Sequence, residues 1–189
     1  MNIWGKTEKN IDRNLTHGDV RAHCLAVAAC FSALFQLPMM QRRITALLGH
    51  TPTQTDRSWL LLIAALHDLG KVDKRFQAKA PDIFEKLIGR RPTLDELVVY
   101  YHGPAAMVFY AKTAWQTLSA TISEAQLCPD LLFNLLCGAW GHHGFIPTRQ
   151  RGGSQAGDPS RPAEEDLEAA ASLIGELKRE IEAVAGPFR

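Results

Sequence analysis

The sequence predicts an all-α fold in a single domain, on three observations. First, 189 residues that are 46% hydrophobic and 22% charged are enough for one globular domain with a substantial core. Second, nearly every periodic stretch places apolar residues at helical spacing. Third, only residues 97–101 have strand-like composition, and one strand cannot form a sheet.

The helices predicted in the first half of the chain have recognisable end signals. They cover residues 20–36, 39–48, 58–66 and 82–88. In the first helix, His23 and Val27 lie on the apolar face. The last begins after Pro81 and stops at Gly89, as proline and glycine favour these two positions.

The second half is predicted to hold three more helices and a long loop. The helices cover residues 104–118, 129–140 and 163–185. Pro104 and Pro129 lie in first turns, where proline is tolerated, and Gly186 ends the last helix. Glycines and polar residues at 144–161 predict a flexible loop.

Charge and cysteine content narrow the function classes. The formal net charge is +1, so contact with nucleic acid would depend on local patches. The cysteines lack CxxC spacing and lie in helical apolar patterns, which predicts reduced, buried thiols at Cys24, Cys30, Cys128 and Cys137. The sequence has no signal peptide and no apolar run of membrane-spanning length, so we expect a cytoplasmic protein without membrane contact.

The pair His67-Asp68 is the strongest sign of chemistry. It follows an apolar run that ends at Leu66, and it precedes Gly70 and Lys71. The macrodipole favours a bound cation at a helix C-terminus. An imidazole can bind one metal, and the two oxygens of a carboxylate can bridge two metals. Taken alone, the pair is also explained by a helix that simply ends in two polar residues.

Four further histidines lie on or beside predicted helices. His23 is on an apolar face, where a hydrogen-bonded core histidine is the ordinary explanation. His102 precedes a helix, as a loop or capping residue would. His142 and His143 lie between two glycines after an apolar helix. In the order His, His-Asp, His and His-His, however, these residues together indicate a metal centre.

The donor set indicates which metals would bind. Five imidazoles and one carboxylate are too rich in nitrogen for magnesium or calcium, and they suit manganese, iron, cobalt or nickel. A bridging Asp68 predicts two divalent transition metal ions, the arrangement used for in-line displacement at phosphorus. Structural zinc is not expected, because such sites favour cysteine.

Basic residues border both halves of the predicted centre. Several follow the His-Asp pair, and Arg149 and Arg151 follow the His-His pair. The predicted contacts to a phosphate backbone are Lys71, Lys74, Arg75 and Arg149. A solvated basic surface is the alternative explanation.

These motifs resemble the HD superfamily of metal-dependent phosphohydrolases and, more narrowly, the HD nuclease domain of the CRISPR type I interference helicase-nuclease. The matching segments are Trp4-Gly5-Lys6, His23-Cys-Leu-Ala-Val-Ala28, Ala65-Leu-His-Asp-Leu-Gly-Lys71, Arg75-Phe-Gln77, His102-Gly103 and His142-His-Gly-Phe145. The His-Asp-x-Gly-Lys segment indicates only the superfamily. Its combination with the Trp-Gly-Lys, Phe-Gln and His-His-Gly segments points to the CRISPR branch.

The resemblance implies an HD-domain helical bundle that cleaves single-stranded DNA with the help of metals. The implied ligands are His23, His67 and Asp68 for one metal, and Asp68, His102, His142 and His143 for the second. Asp68 and Lys71 would be the catalytic residues, with Lys71 at the scissile phosphate. The implied partners are the crRNA-guided surveillance complex and a helicase. Because the chain has no P-loop motif, we expect residues 1–189 to be one HD nuclease domain from the N-terminal part of a longer helicase-nuclease, or to work beside a helicase subunit.

The sequence departs from the family pattern at one point. In the family, the first metal usually receives a final aspartate, commonly from an Asp-Trp pair, and none of the four tryptophans here follows an aspartate. Either the chain ends before that residue, or Asp158 or Asp166 substitutes for it. Two other functions therefore stay open: an HD phosphohydrolase of free nucleotides, and a non-catalytic HD module, which only the incomplete acid set favours.

Overall fold

The computed structural model describes residues 3–9, 15–124, 128–144 and 162–188, and most of these residues are helical. The helices are α1 (Val20–Phe35), α2 (Pro38–Leu48), α3 (Gln54–Ala65), α4 (Lys74–Gln77), α5 (Pro81–Ile88), α6 (His102–Phe109), α7 (Trp115–Glu124), α8 (Pro129–Trp140) and α9 (Glu164–Ala185). The predicted all-α fold class is confirmed. The predicted flexible loop at 144–161 lies, apart from its first residue, outside the described residues.

Two short helical segments of other types join the α-helices. A 3-10 helix, Leu66–Val72, continues directly from α3. A π-helical turn, Tyr110–Ala114, joins α6 to α7, so the continuous helix predicted at 104–118 is interrupted. Thr113 Oγ1 donates to the Phe109 carbonyl at 2.7 Å and thereby competes with the backbone hydrogen bonds at this point.

A two-stranded antiparallel sheet precedes α1, and the sequence analysis missed it. β1 (Trp4–Lys9) pairs with β2 (Leu15–Asp19). Both strands are mainly polar and lack the alternation of apolar and polar residues that marks a half-buried strand. Residues 97–101, whose composition is strand-like, form no strand.

α3 is the central helix of the core. A capping box fixes its N-terminus: Thr53 Oγ1 accepts from Asp56 N at 3.1 Å, and Asp56 Oδ2 accepts from Thr53 N at 2.7 Å. The helix packs against α1 and α9. Trp59 and Leu62 are buried in this contact, and Trp59 Nε1 donates to the Phe188 carbonyl at 3.3 Å. These contacts fix the position of α3, and the His-Asp pair follows directly after its C-terminal end.

The cysteine prediction is right for half of the residues. Cys24 and Cys137 are buried, but Cys30 and Cys128 are exposed, and all four are free thiols. Cys30 lies on the solvent side of α1 because the helix buries only one face.

Among the described residues, no single helix is both long and apolar enough to cross a membrane. Taken together, α1 and α2 have the length and composition of a membrane span, but they are bent by 98°.

Candidate metal centre

Asp68 lies where α3 passes into the 3-10 helix. It is buried, with 1% of its surface exposed. Its φ of −107° and ψ of 18° depart from helical geometry, so the chain bends at this residue. Both of its carboxylate oxygens face side chains from other parts of the fold.

Three basic groups approach one oxygen of Asp68, Oδ2. His23 Nε2, from α1, lies 2.9 Å away, and His67 Nε2 lies 3.1 Å away. Lys71 Nζ lies at 2.6 Å and also donates to the Gly5 carbonyl at 3.0 Å. His23, His67 and Asp68 each offer a ligand atom, and these atoms lie within 4.8 Å of one another.

The other oxygen, Oδ1, faces histidines from α6 and from the turn after α8. His102 Nε2 lies 3.1 Å away and His142 Nε2 lies 3.6 Å away. Neither approach has the geometry of a hydrogen bond, so Oδ1 is a buried acceptor without a donor in the described part of the chain. His143 Nε2 lies 3.2 Å from His102 Nε2. His102, His142 and His143 form a second group with ligand atoms within 4.8 Å of one another.

The backbone partners of two histidines determine which ring nitrogen carries the proton. Nδ1 of His67 donates to the Ala64 carbonyl, and Nδ1 of His142 donates to the Ala139 carbonyl, each at 2.9 Å. In the neutral ring, Nε2 then carries a lone pair, and this lone pair faces a carboxylate oxygen. Two acceptors that face each other repel unless a cation lies between them, as it does where histidines bind metals. The residues present therefore fit a metal centre.

Burial and neighbouring charges favour the protonation states that metal binding requires. Burial alone would raise the pKa of Asp68, but His102 and His67 outweigh this effect and hold that pKa well below the usual range. Burial lowers the pKa of His23 and of His142, although the charge of Asp68 opposes the shift. An anionic carboxylate among neutral imidazoles is the form that binds a metal.

Two glycines allow the elements that carry the histidines to approach closely. A Cβ atom on Gly70 would overlap the carbonyl oxygen of His102, and a Cβ atom on Gly103 would lie 2.5 Å from the carbonyl oxygen of Trp140. The 3-10 helix, α6 and α8 therefore meet through their backbones at these two points. Trp140 Nε1 also donates to the Leu66 carbonyl at 3.1 Å, which ties α8 to the end of α3.

A buried set of hydrogen bonds, the Trp4–Gln77 clamp, holds β1 against α4. Trp4 N donates to Gln77 Oε1 and Trp4 Nε1 donates to the Gln77 carbonyl, both at 3.0 Å. Gln77 Nε2 donates to the Trp4 carbonyl at 2.9 Å and to the Lys71 carbonyl at 2.6 Å. The Phe76 ring lies 4.8 Å from the Trp4 ring and 5.2 Å from the His102 ring. No role was predicted for Gln77 from the sequence, although its Phe-Gln segment is one of those that resemble the family.

Asp166, which the sequence offered as a substitute ligand, lies in a different cluster. It accepts a hydrogen bond from the backbone N–H of Lys74 and lies beside Asp73. Arg75 donates to Asp73 through Nε at 2.9 Å and Nη2 at 2.6 Å, and its guanidinium lies 4.9 Å from the centre of the Tyr100 ring. Asp166 is therefore not placed to bind a metal together with His23, His67 and Asp68. The other proposed substitute, Asp158, lies outside the described residues.

The residues predicted to contact phosphate have different surroundings. Lys71 lies at the centre itself. Lys74 forms an ion pair with Glu165, and Arg75 is held by its own ion pair, so both already have carboxylate partners. Arg149 lies outside the described residues. Phosphate binding by these residues stays a prediction.

The predicted ligand residues are thus brought together as two groups around Asp68. A helical bundle with a His-Asp pair at the end of a central helix, facing histidines from other helices, is the architecture of an HD-type metal domain. A family model described as "Cas3, HD domain" matches residues 4–187. The chain therefore belongs to the family of Cas3 HD domains.

Two known proteins show the extent of the similarity. The "CRISPR-associated endonuclease/helicase Cas3" of Escherichia coli (strain K12) is 28% identical over 153 residues, which cover 76% of this chain and 17% of that protein. A solved structure described as "Crystal structure of CRISPR-associated protein" superposes with a TM-score of 0.61 at 21% identity, over 95% of this chain and 19% of that one. The chain therefore spans less than a fifth of the length of each relative, and the structural match supports the fold alone.

Proposed function

We propose that this chain is a metal-dependent nuclease domain that hydrolyses phosphodiester bonds in single-stranded DNA during CRISPR type I interference against foreign DNA. Its cofactors would be two divalent transition metal ions, from manganese, iron, cobalt and nickel. The observation that carries the proposal is the position of Asp68, whose two oxygens face two separate histidine groups. Membership of the Cas3 HD domain family supports it.

The proposed ligands follow the two groups of side chains. They are His23, His67 and Asp68 for one metal, and Asp68, His102, His142 and His143 for the other. Bound there, metals would activate a water molecule and neutralise charge on the reacting phosphorus. The protein contributes orientation, since the Nδ1 hydrogen bonds of His67 and His142 fix both rings.

We assign Lys71 the contact with the scissile phosphate. Its ammonium group is largely buried, lies 2.6 Å from Asp68 Oδ2, and is held in place by the Gly5 carbonyl. The cation also lies 5.5 Å from the centre of the Phe76 ring. A fixed positive charge beside the centre would stabilise negative charge that develops on phosphate oxygens. Lys74, Arg75 and Arg149 remain candidate contacts to the rest of the strand.

The proposed partners are single-stranded DNA, a helicase domain or subunit, and the crRNA-guided surveillance complex, in the cytoplasm. The name of the Escherichia coli relative combines an endonuclease with a helicase. This supports a role for residues 1–189 as one nuclease domain that works beside a helicase.

The direct test is cleavage by the purified 189-residue chain. Labelled single-stranded DNA, duplex DNA and dNTPs are each incubated with manganese, cobalt or nickel. We expect cleavage of the single strand, poor cleavage of the duplex, and loss of cleavage in Asp68→Ala. Asp95→Ala, at an exposed aspartate, is the matched control and should keep full activity.

Other results would assign a different function. Rapid hydrolysis of dNTPs beside inert single-stranded DNA would identify a nucleotide phosphohydrolase. Bound metal without any hydrolysis, in this chain and in a longer one that adds a helicase domain, would identify a non-catalytic HD module.

A further inference from the structure

An arginine near the N-terminus of α3 has no carboxylate partner among the residues that the structure describes. Arg57 Nη2 donates to Ser32 Oγ at 2.9 Å, and the guanidinium lies 5.8 Å from the centre of the Phe35 ring. Its Nε is buried and has no acceptor. No carboxylate in the described part of the chain forms an ion pair with Arg57. A partly buried cation is normally paired, so this one indicates a missing anion.

The nearest acid in the sequence cannot serve as that anion. Asp56 Oδ2 accepts from the backbone N–H and the hydroxyl of Thr53, each at 2.7 Å, and it lies 2.9 Å from His50 Nε2. The capping box therefore occupies this carboxylate. Arg57 is left with spare donors that point to an external acceptor.

Arg57 lines a cleft that continues along α2. The cleft has a volume of about 650 Å³ and lies between the ends of α1, α3 and α9. A second cleft, of about 430 Å³, runs along α2 beside Arg42 and shares Gln41 with the first. α2 carries Arg42 and Arg43 and has no acidic residue. We call these two joined clefts the Arg57 groove, and its charge is positive.

Large apolar side chains are exposed around the Arg57 groove. Val184 of α9, which lines the first cleft, is 82% exposed. Leu37 and Met39, at the start of α2, are about half exposed. Apolar side chains grouped around a polar cleft are typical of protein–protein contact surfaces. Among its described residues, the groove exposes no aromatic ring on which a nucleic-acid base could stack.

We propose that the Arg57 groove docks a protein partner through an acidic amphipathic segment. A carboxylate of that segment pairs with the terminal nitrogens of the Arg57 guanidinium, and its apolar side chains cover Val184, Leu37 and Met39. The surface is separate from the metal centre, because Arg57 lies near the start of α3 and the His-Asp pair follows its end, roughly 15 Å away along the helix axis. A partner docked here leaves Asp68 accessible.

The test measures peptide binding to the full chain. The probes are a short amphipathic peptide of glutamate and leucine, the same peptide with lysine in place of glutamate, and a single-stranded DNA oligonucleotide. Isothermal titration with wild type, Arg57→Gln and Arg57→Lys gives the affinities. Arg179→Gln, at an exposed arginine of α9 outside the groove, is the matched control.

We expect the glutamate peptide to bind wild type and the Arg179→Gln variant equally. Arg57→Gln should weaken binding by at least roughly tenfold, and Arg57→Lys by less, because it keeps the charge but loses the planar fork. Cleavage of single-stranded DNA should be unchanged in Arg57→Gln, which separates this surface from the proposed nuclease function. The proposal is overturned if the glutamate peptide does not bind, if the lysine peptide binds as well, or if Arg57→Gln leaves its affinity unchanged. It is also overturned if Arg57→Gln weakens binding of the oligonucleotide instead, because the groove would then belong to nucleic acid.

Discussion

Two buried aspartates in this fold have opposite electrostatic surroundings. Asp68, with 1% of its surface exposed, meets imidazoles and the ammonium of Lys71, which hold its pKa well below the usual range although burial opposes this. Asp166, with 4% exposed, is raised to a pKa of about 6 by burial and by the charge of Asp73 beside it. Similar burial thus gives opposite shifts, and the neighbouring charges decide the direction.

The difference separates the proposed metal ligand, Asp68, from an acid with a structural role, Asp166. Asp68 stays anionic, and one of its oxygens has no hydrogen-bond donor among the described residues, so it can accept cations. Asp166 uses its carboxylate to bind the backbone of Lys74, which joins the first turn of α9 to α4. Burial alone does not distinguish the two aspartates, whereas the charges of their neighbours do.

The largest expected effect is on metal content. Asp68→Ala removes the carboxylate that faces both histidine groups, so we expect the variant to lose most of its bound manganese, cobalt or nickel and all of its cleavage activity. Asp166→Ala, at an equally buried aspartate, should keep its metal. Metal analysis of dialysed protein measures both. Equal metal content in wild type and Asp68→Ala would contradict the bridging role.

The next effect concerns the close contact at Gly70. Gly70→Ala places a methyl group against the His102 carbonyl, so the 3-10 helix and α6 must move apart. We expect a loss of about 2–3 kcal/mol of unfolding free energy and weaker metal binding by His102, His142 and His143. Thermal unfolding and metal titration measure these changes.

Gly138 provides the matched control for that substitution. A Cβ atom at Gly138, in α8, has no neighbour within 4 Å. Gly138→Ala should therefore be neutral or stabilising by up to about 1 kcal/mol. If both variants behaved alike, the close backbone contact at Gly70 would have no importance for the centre.

A smaller effect is expected from the lysines that accompany the two aspartates. Lys71→Ala removes the ammonium beside Asp68 and should lower the cleavage rate by roughly 10- to 100-fold while metal content is retained. Lys74→Ala breaks the ion pair with Glu165 and removes a candidate contact to the strand, so it should weaken binding of single-stranded DNA but change the rate at saturating DNA little. Steady-state cleavage assays with metal analysis of the same samples separate the two. Loss of metal in Lys71→Ala would show that Lys71 supports the centre rather than the reaction.

Much of the fold could be predicted from local signals. Proline and glycine marked α5, observed at Pro81–Ile88, and helical periodicity marked α9, observed at Glu164–Ala185. The prediction failed where a signal lay in polar sequence. α3 begins at Gln54 rather than at residue 58. Its first turn and its capping residue Thr53 lie in polar sequence, which apolar periodicity does not reveal. The polar hairpin of β1 and β2 was missed for the same reason.

The sequence predicted which residues belong to the candidate centre better than it predicted how they are arranged. Histidine and aspartate are the residues that bind metals, so their pattern indicated the centre. Which carboxylate oxygen faces which histidine depends on contacts between distant elements. The Trp4–Gln77 clamp joins residues 73 positions apart, and the contact of Gly103 with Trp140 depends on how two helices meet. The sequence also allowed Asp166 as a ligand, and only its contacts with Lys74 and Asp73 exclude it.

The last expected effect has the opposite sign and concerns Asp166. Its pKa rises from 3.8 to about 6 in the folded protein, so the folded state holds its proton more tightly than the unfolded state. As pH rises from about 4 to 6, the unfolded chain ionises first and folding loses stability; above pH 6 the full penalty remains. Asp166→Asn removes the charge beside Asp73 and keeps an oxygen for the Lys74 N–H. We therefore expect it to stabilise the protein at pH 8 by on the order of 2 kcal/mol, with no gain below pH 4. Urea unfolding of both proteins at pH 8 and at acid pH measures the difference, and a gain that did not depend on pH would mean that the ionised carboxylate of Asp166, which burial and Asp73 both disfavour, is not its cause.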